Sequence, residues 1–170
     1  VGERNIAQTA LATGREEEDR RVQAERDLLD SRQAAIKRAQ DNLAGFSAEP
    51  LLRDLFLRVE SYRRDNLEMR LLDSNERERN RALITAVLGY AAQLQEIVRL
   101  RGLSADAGQL AELRRIQGAL IELAIFDGDF ELADYMLSGS NLDDDEIVAL
   151  NKRNAESRRA LLAWRKVRIL

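Results

Sequence analysis

Carboxylates are the most plentiful chemically capable side chains in this sequence. Glu96, Glu112 and Glu122 lie on or near apolar helical faces, and Asp143, Asp144, Asp145 and Glu146 are consecutive. Acid–base chemistry by two carboxylates requires them to converge in a pocket that drives their pKa values apart. Here no spacing points to convergence, and Arg99, Arg101, Arg114 and Arg115 stand close enough in sequence to pair with them. The acidic run does not alternate as a calcium loop does, and it lacks that loop's glycine and distal glutamate. It opens a helix, where negative charge complements the macrodipole.

The 170 residues contain no His and no Cys. That removes the commonest general base, the commonest metal ligand, thiolate chemistry and disulfides. A di-iron site built from Glu-x-x-His pairs is excluded in that form. The glycines form no phosphate-cradling motif, and no base is placed to activate the few Ser and Thr hydroxyls. We therefore expect a non-enzyme with no cofactor and no metal. The net charge of −3, with both signs interspersed, gives no basic field for nucleic acid.

Hydrophobic residues make up 45% of the chain and charged residues 34%, with one Pro. That balance fits long helices with wide solvated faces, and the fold class expected is all-α: an elongated helical bundle with a long antiparallel, coiled-coil-like hairpin. Val22, Leu29, Ile36 and Leu43 recur every seven residues. Their companions three positions on, Glu25, Arg32 and Ala39, are mostly not large and apolar. The seam is narrow, and a long polar helix of this kind leans on a partner for stability. Gly45 ends it. Ser47 is the expected N-cap of the next helix, with Pro50 in its first turn.

The second arm opens strongly with Leu52, Leu55, Phe56, Val59 and Tyr62, then turns polar from Arg63 to Arg81, relieved by Leu67, Met69, Leu71 and Leu72. Asn75 with Glu78 resembles a capping box, but no Gly or Pro marks a break, so one long helix to Arg101 is expected. Its polar middle is expected to be the least buried stretch. Leu83, Val87, Tyr90, Leu94 and Ile97 then form a broad seam. After Gly102, Ser104 is the expected N-cap of a helix over about 105–127, apolar nearly all round between Ala119 and Phe126 and hence the most central. Leu113, Leu120, Leu123, Val87, Leu94 and Ile97 are the expected core.

Gly128-Asp129-Phe130-Glu131-Leu132-Ala133 resembles the turn of a tetratricopeptide-type helical hairpin. It matches half of one repeat with no partner repeat, so it is read as a generic helix–turn–helix and implies no function. Ser138 to Asn141 reads as a loop. The last helix ends with Trp164, Arg165 and Lys166 among apolar residues, a basic amphipathic end suited to the last turn of a bundle or to an anionic membrane surface.

The whole chain, 1–170, is thus expected as one helical domain, with the hairpin over 15–101 and a compact part over 83–170. The expected function is a structural or protein-interaction module (scaffold, adaptor or assembly subunit) that binds a protein partner or its own copy through the hairpin. Val22, Leu29, Ile36 and Trp164 are its candidate contact residues. The alternative is an extracytoplasmic helical-bundle sensing domain of a membrane receptor, cut out between two anchors. It is suggested by the chain's start at Val1 and by membrane proximity at the C-terminal end. The compartment is unreadable.

Overall fold

The computed structural model describes residues 2–65 and 73–169, with side chains over 6–65 and 73–167. Leu67, Met69, Leu71 and Leu72 lie outside the described residues. The described chain is all-α: α1 (Gly2–Ala44), α2 (Ala48–Arg64), α3 (Ser74–Arg101), α4 (Ala107–Phe126), α5 (Phe130–Ser138) and α6 (Asp144–Ile169), with no strand among those residues. It divides into two compact units, Val1–Arg38 and Ala39–Leu170.

In the second unit, α4 packs against α2, α3, α5 and α6. Its central position follows from its second half, residues 119–126, which is apolar nearly all round and has no side to leave in water. Leu113, Leu120 and Leu123 on α4, and Val87, Leu94 and Ile97 on α3, are each at most 1% exposed, as the periodicity predicts. Complete burial of each such side chain stabilises the fold by about 1.5–3 kcal/mol.

The expected long second arm is instead two antiparallel helices. α2 stops at Arg64, and Asp73 starts α3 by accepting a hydrogen bond from the Glu76 backbone N–H at 2.8 Å. The cap lies two residues earlier than the Asn75–Glu78 pattern suggests. α3 returns along α2, so Tyr62 meets Glu76 (2.5 Å) and Arg58 meets Asn80 (2.8 Å). Neither Gly nor Pro is needed for such a break, because an aspartate acceptor satisfies the first free N–H of the new helix. Asn80, inside the stretch expected to be least buried, is fully buried.

Other helix ends are closer to expectation. Gly45 follows the end of α1, and Pro50 sits in the first turn of α2, where the missing N–H costs nothing. Ser47 occupies the cap position without a side-chain bond. Gly102 ends α3 at φ +54°, a conformation glycine tolerates best. Ser104 is not the cap of α4. It lies in a 3-10 turn with its hydroxyl donating to the Arg101 carbonyl, and Asp106 caps α4 by accepting from the Gly108 N–H at 2.7 Å. Asp127-Gly128-Asp129 turns the chain into α5, with Gly128 at φ +75°.

The loop from Gly139 to Asp143 is tied at Asn141. The Asn141 side-chain oxygen accepts from Gln95 (2.8 Å) and Gln117 (3.1 Å), its N–H donates to Gln117 (2.9 Å), and its carbonyl accepts from Arg114 (2.7 Å). These bonds fix where α6 begins.

Candidate interaction surface

Every residue with a described side chain from Ile6 to Ala34 is exposed. At 3.6 residues per turn, a seven-residue repeat returns nearly to the same side, so Val22, Leu29 and Ile36 share one face of α1. Leu28 widens that face. Val22 is 38% exposed, Leu28 61% and Leu29 54%, whereas Ile36 is half-buried.

Arg20 pairs with Glu16 at 3.8 Å and Gln23 donates to Asp27 at 2.9 Å, both within the helix. Exposed i,i+4 pairs contribute about 0.3–0.5 kcal/mol each. A helix of 43 residues runs about 65 Å, and most helical stability in proteins comes from packing an apolar face rather than from propensity.

Trp164, the fourth candidate, belongs to the second unit. It is half-buried on the inward stripe of α6, in series with Ile147, Leu150, Asn154 and Leu161 at helical spacing. Leu162 and Val167 are exposed on the same helix end.

The second unit also holds a polar centre that the sequence does not announce. Asp127 is fully buried in the turn after α4. Its Oδ1 accepts from Asn80 Nδ2 at 3.4 Å, and Arg77 and Arg81 approach its carboxylate at 3.8 and 3.9 Å. Burial holds the Asp127 pKa above the ordinary aspartate range; the Asn80 hydrogen bond and the two guanidinium charges oppose that. Tyr62 OH, hydrogen-bonded to Glu76, is raised above its ordinary value by burial first and by Glu76 second.

A groove of about 900 Å³ between α2, α4 and α6 has Gly118 and Ala119 among its lining residues and arginines at its sides. The charges here neutralise one another. Glu122, 9% exposed, accepts from Arg63 Nε at 2.6 Å and is approached by Arg153 at 3.3 Å, and Arg114 pairs with Asp143 at 3.5 Å. Arg115 lies over the Phe56 ring at 4.0 Å. Glu96 does pair with Arg99, as expected. Glu122, however, takes partners from α2 and α6, not the nearby arginines of its own helix: it lies on the face of α4 that those helices flank. Among the described residues no group of three metal-ligating side chains comes together. Also among them, no helix is long and apolar enough to cross a membrane.

No family model, curated protein or solved structure matches this chain.

Proposed function

We propose that this protein is a non-enzymatic helical interaction module, a scaffold, adaptor or assembly subunit that docks a helical partner along α1. One observation carries the reading: a seven-residue apolar repeat runs along a helix whose side chains are all exposed from Ile6 to Ala34. Covering a Leu or Val side chain completely is worth about 1.5–3 kcal/mol, so a partner helix laid on Val22, Leu28 and Leu29 gains substantially. The buried core of the second unit is built from residues at and after Ala39.

The test is site-specific photo-crosslinking in the cells that make the protein. A photoreactive residue at Gln33, beside the seam, should yield a discrete protein adduct. The same residue at Asp27 or Ser31, around the helix from the seam, should not. Absence of adducts from the seam, or equal adducts from both sides, would overturn the reading.

A further inference from the structure

The charge pattern along α1 identifies the partner. From Arg15 to Asp27 the chain has six acids and four bases, and from Leu28 to Arg38 one acid and three bases. The first stretch is net negative and the second net positive. The same polarity runs down the middle of the seam, where Glu18, Glu25 and Arg32 follow one another at seven-residue intervals. These charged positions alternate with the exposed apolar residues Val22 and Leu29, so any helix covering the apolar side must also meet them.

From this arrangement we infer that α1 pairs with α1 of a second copy of this chain, antiparallel, with the two-fold axis near Leu28 and Leu29. The inference rests on the interaction-module reading and names its partner. In a parallel, in-register pair, identical seam residues face each other. Glu18 would meet Glu18, Glu25 would meet Glu25 and Arg32 would meet Arg32, which gives three like-charge layers. In the antiparallel pair the order reverses. Glu25 lies opposite Arg32 of the copy, and Asp19 lies opposite Arg38. The Leu28–Leu29 steps of the two copies meet at the centre. The interface is self-complementary, which is the requirement for a closed two-fold dimer.

The test uses the full chain, and the absence of native Cys makes introduced cysteines the only thiols. Sedimentation across a wide concentration range should show a monomer–dimer equilibrium. Under mild oxidation, Arg21→Cys mixed with Ile36→Cys should give a disulfide-linked dimer, and either variant alone should not. Glu25→Arg should weaken dimerisation roughly tenfold or more, as expected where like charges are juxtaposed. The exchange Glu25→Arg with Arg32→Glu should restore it. A monomer at every concentration, self-linking of each single-cysteine variant, or failure of the charge exchange to rescue would each overturn the antiparallel pair. In those cases seam-side adducts to a different protein in cells would still leave the module reading standing.

Discussion

Arg63 and Glu122 meet across 59 positions of sequence, Nε to Oε2 at 2.6 Å, and join the last turn of α2 to the C-terminal part of α4. Glu122 is the buried member, and Arg63 keeps more than half of its side-chain surface in water. The two ends of this pair therefore do not respond alike to substitution.

Removing Arg63 leaves a buried carboxylate that has Arg153 alone for a counter-charge. Arg63→Met should destabilise the fold by about 1–3 kcal/mol, the range for a buried group deprived of its hydrogen-bond partner. Glu122→Gln should cost less, because it removes the charge whose burial is expensive and leaves two partly exposed arginines. Urea unfolding of the two variants checks the order, and the reverse order would contradict it.

Asp127 should impose a slope on stability against pH. Its pKa is raised in the fold above the ordinary 3.8, so between 3.8 and the raised value the folded chain binds more protons at this site than the unfolded chain. The contribution of Asp127 therefore falls as pH rises through that window and is level above it. Asp127→Asn removes the titration. Its stability relative to the parent should climb as pH rises from the ordinary carboxylate range, in unfolding curves measured at matched ionic strength. A decline would contradict the assignment.

Leu120 and Leu29 are one residue type in opposite settings, 1% and 54% exposed. Leu120→Ala should cost roughly 2–5 kcal/mol, the range for well-packed leucines. Leu29→Ala should stay within about 0.5 kcal/mol in dilute monomer. Thermal or urea unfolding compares them directly.

Two glycines should respond with opposite signs. A Cβ on Gly118 would meet nothing within 4 Å, so Gly118→Ala on α4 should stabilise by about 0.5–1 kcal/mol through helix propensity. Gly102 has φ +54°, where an L side chain is strained, so Gly102→Ala should destabilise by roughly 1 kcal/mol or more. Melting midpoints of the two variants provide the check.

Periodicity in the sequence locates α1, α4, α5, α6 and most of the core, because apolar spacing reports directly on which side of a helix is covered. The break between α2 and α3 is missed: the same reading runs them together as one helix to Arg101. Its signal is Asp73 with Glu76, an acceptor and an acid three residues on, set in a run so polar that neither helix face stands out. Asn80 and Asp127 escape a hydrophobic pattern altogether: Asn80 is hydrogen-bonded to Arg58 and Asp127, and Asp127 has Arg77 and Arg81 at ion-pair distance, all brought together by the fold rather than by neighbouring positions. The partners of Glu122 are hidden for the same reason. The interval that puts Val22, Leu29 and Ile36 on one side of α1 is readable whatever surrounds them. The half-burial of Trp164 is not, because a basic amphipathic helix end looks the same in sequence whether its aromatic faces the bundle or the solvent.

The four bonds at Asn141 give α6 an asymmetric attachment. Its first residues stay beside α4 even when the rest of the helix lifts, so α6 behaves as a tethered ligand whose effective concentration at its own docking site is of millimolar order. Farther along, the Asn154 side-chain amide donates to the Phe130 carbonyl and to Asp134 and gives the helix a second attachment, to α5.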